Sequence, residues 1–239
     1  MPSGPATSPA FVSVIIPAYN EGGHIGRLLA HLQRICGPDE AVEILVADGG
    51  SVDGTVAEAA AHGARVVPCP RRGRAAQLNH GAAHARGAIL YFLHADTLPP
   101  ATLLPDLRAA VATGAAAGCY RLRFDEAHWF LAANAWFTRF NFNGIRYGDQ
   151  SLFVQRPVFG RAGGYREQMQ LLEDQEIVGR LRRHGPFRVL TGYVVTSARR
   201  YRRNGIYRLQ GVFALLTGLY WLGVSQPRLV QLYKRLVRG

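Results

Sequence analysis

Hydrophobic and polar positions along the first half of the chain follow two alternating rhythms. "FVSVIIPAY" (11–19), "VEILVAD" (42–48), "ARVVPC" (64–69) and "AILYFLHAD" (88–96) are short, β-branched apolar runs, the pattern of buried strands. Between them, "HIGRLLAHLQRI" (24–35) places Ile25, Leu28, Leu29, Leu32 and Ile35 on one helical stripe. "SVDGTVAEAAAHG" (51–63), with Ser51 as N-cap and Gly63 closing it, and "RAAQLNHGAAHAR" (74–86) read as further helices. So does "ATLLPDLRAAVAT" (101–113), with Pro105 disturbing its first turns. This strand–helix alternation predicts an α/β fold with a mainly parallel central sheet flanked by helices.

After Gly118 the rhythm changes. "CYRLRF" (119–124) alternates like a half-exposed strand, and "HWFLAANAWFTRFNF" (128–142) reads as an aromatic helix. "DQSLFVQRPVF" (149–159) starts as a strand, "MQLLEDQEIVGRLRRHG" (169–185) becomes a helix near its acidic cluster, and "FRVLTGYVVTSA" (187–198) is a strand pair or one bent strand. "GVFALLTGLYWLGV" (211–224) carries no charge but is too short for a membrane span, which needs about 20 apolar residues. It reads either as a core helix or as an interfacial helix rich in Tyr and Trp.

Charge alters this picture at one end. The formal net charge is +12, yet residues 177–239 hold 13 of the 28 Lys and Arg and none of the 16 Asp and Glu. An anionic partner is therefore expected at the C-terminal quarter: phosphates or an acidic membrane surface. No nucleic-acid recognition motif accompanies the charge, so nucleic acid is not an expected partner. Three scattered cysteines, none in CxxC spacing, suit a reducing cytoplasm. "MPSGPATSPA" reads as a disordered tail (1–10) without the basic and apolar regions of a signal peptide.

In a parallel sheet, ligands gather at the carboxyl ends of strands, and the candidate chemistry lies there. Asp48 ends the second strand, before Gly49 and Gly50, which let a ligand approach the backbone; it can accept from a ribose or base, or "DG" is a plain turn. Arg71, Arg72 and Arg74 surround Gly73 at a helix start, a diphosphate cradle or a solvated basic loop. His94 and Asp96 end the fourth strand, where period-two alternation would point them the same way; the carboxylate suits Mg²⁺ or Mn²⁺, and His94 either shifts the preference toward Mn²⁺ or is not a ligand. Glu173, Asp174 and Glu176 open a helix: one is a general base, or all three complement the helix dipole. "TSARRYRRNG" (196–205) interleaves four arginines with Tyr201 and suits phosphate.

In this order, "VSVIIPAYNE", "VADGGSVDGT", "PRRGRAAQLNHGAAHARG", "FLHADT", "YGDQSLFV", "LLEDQEIVGRLRR" and "TSARRY" resemble the family 2 glycosyltransferases of the GT-A fold, from about residue 12 to 230. The chain is most similar to a small bacterial subgroup associated with radical-SAM or arsenosugar gene clusters, which carries HAD where most relatives carry DxD. The resemblance implies one GT-A domain over 11–200, with a nucleotide-binding half (11–115) and an acceptor half (116–200), followed by a basic and apolar helical segment (201–239). It implies that Pro17, Tyr19, Glu21, Asp48, Arg71, Arg74 and His94 line the nucleotide pocket, with Arg199, Arg200 and Tyr201 near the diphosphate. Asp96 resembles the metal-binding aspartate for Mn²⁺ or Mg²⁺. Asp174 resembles the catalytic base of an inverting enzyme, with Glu173 its acidic neighbour, and Asp149 and Gln150 face sugar or acceptor. The implied partners are a UDP- or GDP-type sugar donor and a hydroxyl acceptor, lipid-linked if the chain docks peripherally on the inner membrane face. Two other readings are a sugar-nucleotide or membrane-surface binding protein that has lost catalysis, and a nucleotidyltransferase.

Overall fold

The computed structural model describes residues 10–37, 41–142 and 148–237; the stretch 1–9 of the expected tail lies outside them. Strand β1 (Val12–Ala18) is buried on both faces, which explains its unbroken apolar run. Strands β2 (Val42–Asp48), β3 (Arg65–Pro68) and β4 (Ile89–Phe92) lie parallel around it in the order β3-β2-β1-β4. Helices α1 (Gly22–Cys36), α2 (Thr55–Ala61) and α3 (Arg74–His84) make the crossovers. The stripe on α1 buries Ile25, Leu28, Leu29 and Leu32 with Val14 and Ile16, whereas Ile15 faces α3 and Leu78 on the other side of the sheet.

The sheet continues, but not all in one direction. After a two-residue strand β5 (Thr97–Leu98) and helix α4 (Leu103–Ala112) come β6 (Ala117–Phe124), α5 (Trp129–Phe137), a 3₁₀ turn (Gly148–Gln150), β7 (Leu152–Gln155) and α6 (Arg156–Arg161). Then follow α7 (Glu173–Leu181), β8 (Phe187–Thr196), α8 (Arg199–Asn204), α9 (Ile206–Trp221) and α10 (Gln226–Leu236). β7 inserts antiparallel between β4 and β6, β6 and β8 are parallel, and β5 closes the edge antiparallel to β8. The sheet is thus mixed, and the single strand β8 settles the choice between a strand pair and one strand.

Several boundaries differ from the sequence reading for local reasons. β4 stops at Phe92, so His94–Asp96 form a turn and period-two alternation does not apply to them. The Leu93 N–H still donates to the Ile15 carbonyl, but Pro17, next on that edge of β1, has no N–H to continue the ladder. α2 starts at Thr55, and Ser51 does not cap it. α7 starts at Glu173, in the acidic cluster as expected, directly after Leu172 with its left-handed backbone (φ 62°). Pro105 sits within the first turn of α4, where a missing N–H costs little.

Besides the two cores on either face of the sheet, a third joins α5 to the C-terminal helices through Leu131, Tyr201, Leu209, Val212, Leu216 and Leu229. The run 211–224 therefore divides by face. Val212 and Leu216 are core, while Leu215, Trp221 and Leu222 are exposed. Among the described residues no helix is long and apolar enough to cross a membrane.

Candidate active site

The loops after β1 and β2 are tied together. Asn20, in the left-handed region (φ 54°) that asparagine tolerates, accepts from the Val52 N–H, and its own N–H donates to Ser51 Oγ. Asp53 accepts from the N–H of Gly22, at the start of α1, and from the N–H of Thr55, at the start of α2. Asp48, expected on the ligand, turns inward: its carboxylate accepts from the N–H groups of Gly50 and Ser51 and from Ser51 Oγ. Gly50 takes φ 84° to make this turn. The space beside Gly49 belongs to Gln77 rather than to a ligand, since a Cβ there would lie 3.0 Å from Nε2. That buried amide donates to the carbonyls of Ala18 (2.7 Å) and Ala47 (2.9 Å), fixing the ends of β1 and β2. The sequence reading missed Gln77; its polarity on the inner side of an otherwise apolar helix was the available signal.

The three arginines near Gly73 take three directions. Arg71 pairs with Glu167 at the surface, away from the cavities, contrary to the expectation for it. Arg72 lies over the Tyr19 ring, 4.8 Å from its centroid. Arg74 reaches inward, 3.2 Å from Glu173 and 3.7 Å from Asp174. Glu173 and Asp174 therefore converge on one group, while Glu176 pairs with Arg166 and Arg180.

Two adjoining cavities meet at Arg74. The smaller, about 160 Å³, is bounded by Pro17 at the end of β1, Tyr19 and Glu21 after it, the His94–Asp96 turn, Asp149, Ser197, Arg199, Arg200 and Tyr201. Its charges pair across elements: Arg199 lies 3.1 Å from Glu21 and 3.3 Å from Asp96, and His94 Nδ1 lies 3.3 Å from Asp149. The larger, about 460 Å³, lies between α5, the start of α7 and helices α8 to α10, with Glu173 and Asp174 on its wall. Arg74, Asp149, Arg200, Tyr201 and Phe213 border both. Gln150 faces neither; its amide is buried and donates to the Tyr120 carbonyl at 3.2 Å.

This geometry sets the charges. Burial, and then the neighbouring Glu173 charge, push the Asp174 carboxyl up to about 7, outweighing Arg74. Burial works against the charge on Arg74, but Glu173, Asp174, Asp149 and Asp96 outweigh it and raise its pKa. Burial would likewise raise Asp149, yet the hydrogen bond and charge of His94, with Arg74 and Arg200, hold it below the usual range. Among the described residues no three His, Cys, Asp or Glu side chains cluster closely enough to cage a metal. Asp96 alone fits a hard, hydrated cation that takes one carboxylate and completes its shell with water and phosphate oxygens.

The sequence profile of glycosyl transferase family 2 matches residues 13–166. The chain belongs to that family. Glycosyltransferase AglE of Haloferax volcanii is 37% identical over 95 residues, 37% of this chain and 31% of that protein, so the match spans about a third of the relative. The fold is similar to a mannosyltransferase of Pyrobaculum calidifontis solved with GDP-Man and Mn2+ (TM-score 0.71, 21% identity, covering 95% of this chain and 70% of that one). It is also similar to the glucosyl-3-phosphoglycerate synthase of Mycobacterium tuberculosis with Mn2+, UDP and glucosyl-3-phosphoglycerate (TM-score 0.64, 20% identity, covering 90% and 81%). The GT-A-like expectation for the fold therefore holds, with the sheet mixed.

Proposed function

We propose that this protein is an inverting glycosyltransferase that moves a sugar from a nucleotide-diphosphate donor to a hydroxyl acceptor. The carrying observation is the pair of adjoining cavities at Arg74, with Asp96 in one and Asp174 in the other. The donor, of UDP or GDP type as in the similar structures, sits in the smaller cavity with its diphosphate toward Arg74, Arg199 and Arg200. Asp96 would hold a divalent cation there, which supplies neutralising charge to the leaving diphosphate. The "HAD", "GDQ" and "TSARR" stretches support the reading that the chain belongs to the bacterial subgroup described above.

From the opposite side, Asp174 takes the proton of an acceptor hydroxyl. The acceptor oxygen bonds to the anomeric carbon as that carbon's bond to the phosphate oxygen breaks, and the diphosphate leaves with the electron pair. A carboxylate whose pKa sits near 7 suits this work at neutral pH. Asp174→Asn is expected to bind nucleotide normally and to lose roughly 10²–10⁴-fold in transfer; undiminished transfer would remove Asp174 from the base role.

We also infer peripheral docking at the cytoplasmic membrane face. Exposed Trp129, Trp136, Phe140 and Phe142 on and after α5, with Trp221 and Leu222 closing α9, accompany the basic C-terminal quarter. The protein should sediment with phosphatidylserine vesicles and come off as salt is raised; salt-insensitive or absent binding would defeat the idea.

A further inference from the structure

The larger cavity is built in two parts. Arg74, Asp149, Glu173, Asp174 and Arg200 make one charged end. The rest of the wall carries an apolar face, made by Leu122, Phe124, Phe137, Leu172, Phe213 and Leu216, beside the polar Asn134, Thr138, Gln170, Gln175 and Gln210. At about 460 Å³ it has the size of a small-molecule site. A free sugar filling it would also set hydroxyls against the Leu and Phe face, where each loses its water without a partner. Phe137 lines the cavity yet is 52% exposed, and its ring lies 5.2 Å from Trp136 and 6.3 Å from Phe140. The apolar wall thus continues out onto the surface. Leu172, immediately before Glu173, keeps a branched apolar side chain at the wall in a backbone region that glycine or asparagine would occupy more easily.

Resting on the reading of Asp174 as the base, we propose that the acceptor carries its reacting hydroxyl on an apolar body enclosed by this cavity: an amphiphilic alcohol rather than a free sugar. The hydroxyl meets Asp174 at the charged end, and the hydrocarbon runs along Leu172 and Phe213 toward Phe137.

Binding without donor tests this separately from catalysis. The full chain is titrated with octyl β-glucoside below its micellar threshold and with methyl β-glucoside. Each methylene moved from water to an apolar wall contributes roughly fourfold in affinity, so octyl glucoside should bind more than about tenfold tighter. Leu172→Asn keeps the left-handed backbone while making the wall polar, and Phe137→Ser alters a half-exposed position. Each should reduce octyl glucoside affinity at least about threefold and leave UDP or GDP affinity unchanged. Equal binding of the two glucosides would overturn the proposal. So would octyl glucoside binding that ignores Leu172→Asn, which would mean adsorption to the outer aromatic surface. Failure of the transferase reading would appear differently, as normal cavity binding with no nucleotide bound or no effect of Asp174→Asn on transfer.

Discussion

The two cavities share the Arg74 wall but treat charge in opposite ways. In the smaller, cations and carboxylates are distributed and already paired: Arg199 between Glu21 and Asp96, His94 against Asp149. In the larger, charge is confined to one end, and the remaining wall combines an apolar face with uncharged polar side chains. The first arrangement is pre-organised but close to balanced. A diphosphate entering it alone would face Glu21, Asp96 and Asp149 as well as the arginines, so a donor should arrive with its own compensating cation. The second arrangement buries two acids against one guanidinium; burial, and then the charge of Glu173, lift Asp174 toward neutrality against the pull of Arg74.

Asp96 is where the balance of the smaller cavity can be broken most strongly. In the unaltered protein, Mn²⁺ should strengthen UDP or GDP binding by more than about tenfold, a gain of roughly 1.4 kcal/mol. Asp96→Ala should abolish that dependence, and cation-free nucleotide binding should not fall, because a repelling carboxylate has gone. His94→Ala should weaken binding but keep the cation response, since the histidine faces Asp149. Calorimetric titration with and without Mn²⁺ reads both; a cation response surviving Asp96→Ala would take the ion away from this residue.

The comparison also explains what the sequence could reveal. The parallel half of the sheet was legible because its strands are buried on both faces and its helices carry one stripe, so periodicity alone separates them. The antiparallel insertion of β7 was not, since strand direction comes from long-range pairing with β4 and β6 and leaves no local pattern. At the site, residues at strand ends could be gathered by topology: Pro17, Tyr19, Glu21, His94 and Asp96 do bound one cavity. Where each side chain points could not. Asp48 is absorbed by its own turn, and Arg71 and Arg74, three positions apart, reach different acids. The larger cavity depends on α5, α9 and α10 meeting, and the apolar character of 211–224 could only be divided by face once α5 was packed against it.

The finest distinction lies between the two acids on Arg74. Asp174 works as a base only when deprotonated, so transfer should fall about tenfold per pH unit below 7 and level off above it. Glu173→Gln removes the charge that ranks after burial in lifting Asp174, and it frees Arg74 to pair with Asp174 alone. The acid limb of the pH–rate profile should therefore move to lower pH. Stability carries the same sign. Between the ordinary aspartate value of 3.8 and about 7, the folded protein keeps a proton on Asp174 that the unfolded chain has lost. Folding therefore takes up that proton, and this group erodes stability as pH rises through the window. Glu173→Gln should narrow the window from its upper end, read as a flatter decline of Tm approaching pH 7. An acid limb that stays in place would mean that burial alone sets the Asp174 pKa and that Glu173 serves only to anchor Arg74.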